Sequence, residues 1–154
     1  MKNNLTSFIC FFLLITGCGF KLVNNSVEYQ IAEINITGDK KINYFLKNKI
    51  LLNSNEEGKK LLKLNINTTK LKTIKEKNIS NQVTKYELRI DAQVEYTEIQ
   101  NGATSKFSLA KKGFYDVSSS YSKTLNNEKN LISLLIDEMS KDITDKLSNT
   151  LNDL

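Results

Sequence analysis

Along the 154-residue chain the apolar positions recur with two different periods. Leu62, Leu64, Ile66 and Thr68 alternate with Lys63, Asn65 and Asn67. A longer alternation sets Tyr86, Leu88, Ile90, Ala92, Val94 and Tyr96 against Lys85, Glu87, Arg89, Asp91, Gln93 and Glu95. A period of two is that of a strand with one buried face. Gln30, Ala32, Ile34 and Ile36, opposite Ile31, Glu33 and Asn35, predict an earlier strand that ends at Gly38-Asp39. Ile42, Phe45, Leu46 and Ile50 then switch to helical spacing, with Lys47 and Lys49 outward and Asp39 placed as N-cap. This helix fades near Asn53, and Asn55-Glu56-Glu57-Gly58 reads as a loop.

The second half follows the same logic. Thr73 to Val83 is polar and Lys-rich, a loop or a frayed hairpin. Asn101-Gly102 predicts a type I′ hairpin turn, whose two central residues need positive φ. Phe107 and Leu109 resume the alternation, Lys111-Lys112-Gly113 interrupts it, and Phe114, Tyr115 and Val117 restart it, consistent with a bulge at Gly113. From about Asn126 to Leu151, a stripe of Ile132, Leu135, Met139, Ile143, Leu147 and Leu151 predicts a long amphipathic helix. On it, Asp137 with Lys141 and Asp142 with Lys146 are spaced for local ion pairs. The order β-α-β-β-β-α predicts an α+β fold, a four-stranded mixed sheet with two helices packed on one face. The other face is charged and must meet water or a polar partner.

The first residues change the picture. Leu5 to Thr16 is almost wholly apolar behind the single charge of Lys2. A dozen residues suits a signal peptide, whereas a bilayer span needs about 20. The run ends in Ile15-Thr16-Gly17-Cys18, which resembles a bacterial lipobox. The expected organisation is a lipoprotein signal peptide over residues 1–17, a lipidated tether over 18–27, and one domain over 28–154. Lipid on Cys18 gives stable anchoring, since each buried methylene contributes about 0.8 kcal/mol. Cys10 leaves with the signal, so the mature chain keeps no thiol for a disulfide or a metal. No Asp follows Cys18, which by the sorting rule for lipoproteins implies the outer membrane of a Gram-negative cell.

Composition removes whole classes of function. The chain has no His, so Ser-His-Asp and Cys-His catalysis and His-ligated metal are excluded. Glu87, Asp91 and Glu95 share a strand face, but neighbours among them lie about 13 Å apart, too far for a paired-carboxylate site. Ser118-Ser119-Ser120 lacks a base and reads as a linker, and the six glycines form no phosphate loop. No enzyme, cofactor or metal is expected. The balance of 22 Lys+Arg against 17 Asp+Glu is basic, yet Arg89 is the sole arginine, so the excess follows a Lys- and Asn-rich composition. No nucleic acid partner is implied.

Gly17-Cys18-Gly19-Phe20-Lys21-Leu22, the element order, Tyr86-Glu87-Leu88 opening the third strand, Phe114-Tyr115 on the fourth, and Asn127-Glu128 at the last helix together resemble the LPS-assembly lipoprotein family. The resemblance implies a non-enzymatic outer-membrane lipoprotein. It would plug and help assemble the large β-barrel of the lipopolysaccharide translocon and assist lipopolysaccharide insertion. It further implies lipopolysaccharide contacts at basic residues matching in kind: Lys75, Lys77, Lys111 and Lys112. A stand-alone, periplasm-facing lipid- or ligand-binding lipoprotein is the alternative, and it would require an apolar pocket between sheet and helices.

Overall fold

The computed structural model describes residues 29–54 and 58–152. The segments expected to be signal peptide and tether, with Cys18, and residues 55–57 lie outside them. Six elements follow in the order anticipated: β1 (Tyr29–Gly38), α1 (Lys40–Leu52), β2 (Lys60–Lys77), β3 (Val83–Glu98), β4 (Thr104–Asp116) and α2 (Tyr121–Asn152). The strands form one sheet in sequence order. β1 pairs with β2 in parallel across the α1 crossover, and the other two pairings are antiparallel. Both helices pack on the same face, so the α+β arrangement read from the pattern is the one present.

The core is the meeting of two periodicities. Leu62, Leu64 and Ile66 of β2 and Leu88, Ile90, Ala92, Val94 and Tyr96 of β3 are buried beneath the helices. The α2 stripe, from Ile132 through Leu135, Ile136, Met139, Ile143 and Leu147 to Leu151, closes over them, with Ile42, Leu46 and Ile50 of α1 beside it. Asp39 caps α1 as its spacing required, its Oδ1 accepting from the N–H groups of Lys41 and Ile42 at 3.1 Å each. Thr68, the last inward residue of the β2 alternation, donates to Asn43 Oδ1 at 2.6 Å and ties sheet to helix.

Several local expectations give way to packing. The alternation in β1 slips at Ala32, where a bulge between Ile31 and Glu33 breaks the register. Tyr29 and Ile31 before the bulge, and Ile34 and Ile36 after it, therefore all pack toward the helices. Tyr29 is fully buried, and its hydroxyl makes no hydrogen bond among the described residues. Burial pushes that hydroxyl's pKa up to about 12. Thr73 to Lys77 is strand: β2 and β3 pair out to Lys77 and Val83, with two register shifts after Ile74. At the tip Asn78 Oδ1 accepts from the N–H groups of Ser80 and Gln82, and Asn81 takes the left-handed φ of 61°.

Asn101-Gly102 does not form a type I′ turn. Only Gly102 has positive φ, 71°, and its N–H donates to Glu98 O at 2.8 Å within a longer loop. β4 runs without a bulge, Gly113 facing Leu88 in register. The glycine serves packing instead. A Cβ at Gly113 would stand 2.6 Å from Leu131 Cδ1, so its absence lets α2 approach the strand. α2 begins five residues early because the serine run folds onto it, Thr124 Oγ1 accepting from Ser118 N and donating to Ser120 O. Asp137 and Asp142 leave their local lysines for tertiary partners, Lys49 at 2.9 Å and Lys111 at 2.6 Å.

Gly113→Val should force Leu131 off the strand and destabilise the fold by about 1–3 kcal/mol, the usual cost of overpacking. Urea denaturation will read this as a lower midpoint, and adding Leu131→Ala should recover part of the loss.

Candidate functional site

No element covers the second face of the sheet among the described residues. Its side chains form transverse rows set by the strand register. Glu33, Lys63, Thr97 and Thr104 make one; Asn35, Asn65, Glu95 and Lys106 the next; Thr37, Asn67, Gln93 and Ser108 a third. Within these rows Glu33 pairs with Lys63 at 2.8 Å, Lys106 with Glu95, and the Thr97 and Thr104 hydroxyls with each other at 3.0 Å. The middle rows line an open concavity of about 340 Å³. A lysine beside each carboxylate holds Glu33 and Glu95 below the ordinary carboxylate range.

Toward the β2–β3 hairpin the same face changes character. Leu71, Arg89 and Lys112 form one row, and Thr73, Glu87 and Phe114 the next. Leu71 and Phe114 are about half exposed, and the Lys75 ammonium lies 5.3 Å from the centre of the Phe114 ring. Every residue from Leu71 to Gln82 is exposed, and Ile79 stands fully in solvent at the tip. The hairpin is thus a basic arm with apolar side chains along it.

The four lysines singled out from the sequence divide among three settings. Lys75 and Lys112 belong to the uncovered face. Lys77 sits near the tip, donating to Asn81 Oδ1 at 2.9 Å. Lys111 turns to the helix side and is tied to Asp142. Leu71, Arg89, Phe114 and Ile79 were not among the contacts expected from the sequence. For the first three the missing signal was the pairing of β2 beyond Thr68, which places Leu71 against Arg89 and Thr73 beside Glu87 and Phe114.

On the helix side the arm is held by a polar cluster. Lys72 Nζ donates to Glu128 Oε2 at 2.7 Å, Tyr115 donates to the same oxygen at 2.8 Å, and Lys72 stands 4.3 Å over the Tyr86 ring, which stacks on Tyr115. Burial by itself would raise the Glu128 carboxyl, but hydrogen bonds from Lys72 and Tyr115 outweigh it and leave the group lowered. Burial opposes the Lys72 charge too, and Glu128 outweighs it, so this lysine is raised.

The space between sheet and helices is filled by side chains at most a few per cent exposed. A groove of about 190 Å³ lies between the helices, floored by Phe45, Ile132 and Ile136. Among the described residues no group of three or more acidic or Cys side chains is placed to hold a metal, and no helix is long and apolar enough to cross a membrane.

No protein-family model matches the chain, and no curated protein does. Solved structures do. The solution structure of a lipoprotein B from Nitrosomonas europaea superposes with a TM-score of 0.61 at 16% identity, covering 88% of this chain and 94% of that one. The rare lipoprotein B of Shewanella oneidensis gives 0.52 at 12% identity, over 80% and 95% of the two chains. A minor lipoprotein of Acinetobacter baumannii gives 0.51 at 14%, over 80% and 94%. At such identities the likeness is one of fold: the chain has the fold of these bacterial lipoproteins.

The Glu128 carboxyl is lowered in the folded state, so its contribution is present above the unfolded pKa and disappears as pH falls through the folded one. Glu128→Gln should cost about 1 kcal/mol near neutral pH. In denaturant titrations the gap between variant and wild type should close as pH falls below the ordinary glutamate range and through the lowered folded-state pKa.

Proposed function

We propose that the chain is a lipid-anchored outer-membrane lipoprotein that occupies the lumen of the large lipopolysaccharide-translocating β-barrel. There it helps the barrel assemble and assists insertion of lipopolysaccharide into the outer leaflet. The observation that carries the reading is the uncovered sheet face. Four strands present ion pairs, amides and hydroxyls with no layer over them among the described residues, a surface suited to the polar interior of a wide barrel. The fold shared with bacterial lipoproteins and the lipobox ending at Cys18 support the anchored state.

The role is non-enzymatic. The barrel and the lipid do the transport, and this chain contributes a rigid body with a basic arm. Lys75 and Lys112 are its best-placed contacts for lipid A phosphates. Both lie on the uncovered face, where an ammonium can meet an anion as a point charge. Lys77 lies nearby at the tip. Lys111 would first have to leave Asp142. A stand-alone lipid binder is less well supported, because the space it would need between sheet and helices is packed.

Purification of the full-length lipidated protein from outer membranes in mild detergent should bring a large β-barrel with it in equal amount. A protein recovered without a barrel would sink the plug reading. Cys18→Ser should leave an uncleaved, mislocalised protein, read by mass and membrane fractionation. Lys75→Glu with Lys112→Glu should weaken lipopolysaccharide binding tenfold or more at low salt without lowering the denaturation midpoint, whereas Lys111→Glu should lower that midpoint.

A further inference from the structure

The sheet ends at β4. Its 13 residues pair with β3 in unbroken register, and no described strand pairs with its other edge. Alternate residues of an edge strand turn their N–H and C=O groups outward, where they template a further strand. At the opposite edge, β1 is spoiled for this by the bulge after Ile31. β4 has no bulge and no proline to blunt it.

What lies beside that edge decides the occupant. An open groove of about 370 Å³ separates the end of β4 from α2, lined by Phe114, Tyr115 and Asp116 of the strand and Asn127, Asn130, Leu131 and Leu134 of the helix. Leu131 rests over Gly113, while Leu134 and Phe114 are 53% and 48% exposed. An open strand edge beside a helix flank that carries Leu131 and Leu134 suits an extended peptide, its backbone on the edge and alternate side chains against the two leucines. A helical guest has its backbone groups bonded internally, and an acyl chain has none, so neither would use the edge. The limit of the addition is set as well: Asn127 Nδ2 donates to Asp116 O at 3.0 Å and closes the end of the strand.

Charge narrows the guest further. β4 carries Lys106, Lys111 and Lys112 against Asp116 alone. Glu95 and Asp142 hold the first two lysines, and Lys112 has no ion-pair partner among the described residues. We propose that the free edge of β4 and the groove along α2 dock an extended, proline-free segment of a partner protein. Apolar residues occupy its alternate positions, and an acidic residue faces Lys112.

The test uses the full-length lipidated chain in phosphatidylcholine nanodiscs. The probe is a panel of nonapeptides alternating Val or Leu with Thr, with one Glu moved through each Thr position. At least one should bind and slow amide exchange along β4. Methylating the probe's backbone nitrogens at odd or at even positions separates strand addition from side-chain adhesion. One series should lose tenfold or more in affinity and the other bind like the parent. Leu134→Asp, at an exposed position that leaves the core intact, should weaken binding at least tenfold, and Lys112→Glu should move the preferred Glu position. Absence of binding across the panel, equal binding of the two methylated series, or full affinity with Leu134→Asp would each overturn the proposal.

Discussion

A sheet of four strands with one apolar face has to be covered by something, and here a single 32-residue helix does most of the covering. Burying a Leu or Ile side chain contributes about 1.5–3 kcal/mol. The line of such residues along α2, from Ile132 to Leu151, shares one core with the buried faces of β2 and β3, and this seam supplies most of the driving force for the fold. Strands β2 and β3 alone would be a hairpin, marginal in water. The polar contacts along the seam do different work. Lys60 donates to Leu151 O at one end of α2, Lys111 pairs with Asp142 in the middle, and Glu128 gathers Lys72 and Tyr115 near the other end. Partly exposed ion pairs of this kind contribute about 1 kcal/mol or less each. They cannot drive the packing, but spread along the helix they fix its direction across the strands.

Covering one face leaves the other to be solved by polarity. Its charges are mostly paired across strands, as Glu33 with Lys63 and Glu95 with Lys106, and the rows between are amides and hydroxyls. Nothing in the folding of the core requires β2 to continue past Lys72, since no side chain from Thr73 to Gln82 is buried. The arm is nevertheless ordered by pairing out to Lys77 and by the Asn78 side chain at its tip. Residues held in place without contributing to the core are where a role outside folding is to be sought.

The parts of the fold legible in the sequence are those where burial imposes a period. β3 and the α2 stripe could be read directly, because each has one face in the core along most of its length. The β2 arm could not: with both faces in water, Thr73 to Lys77 carry no alternation, and composition alone suggested a loop. β1 was readable only in part, since one extra residue at Ala32 reverses the parity, and Tyr29, the largest side chain it buries, fell outside the pattern. Gly113 looked like an interruption because a glycine has no side chain to place, when its function is to make room for Leu131. The candidate site suffered from parity too. Lys111 and Lys112 are adjacent in sequence and therefore on opposite faces, one bound to the helix and the other open. The tertiary choices of Asp137 and Asp142 depend on where α1 and β4 lie, which local spacing cannot report.

These requirements are undemanding about identity, which accounts for solved lipoproteins of the same fold with only 12–16% identical residues. Any branched aliphatic serves in the seam, and Lys serves for Arg wherever a single contact rather than a bidentate one is made. Where a feature does depend on a particular residue, it is geometric: Asp39 at the cap, Gly113 beneath Leu131, Asn78 closing the arm. Folding therefore leaves three surfaces unconstrained, the polar sheet face, the basic arm and the open edge of β4 with the groove beside it. They differ in the chemistry they can meet. The first takes a polar wall, the second an anion and the third an extended backbone, and Lys112, which borders the last two, can answer only one negative charge at a time.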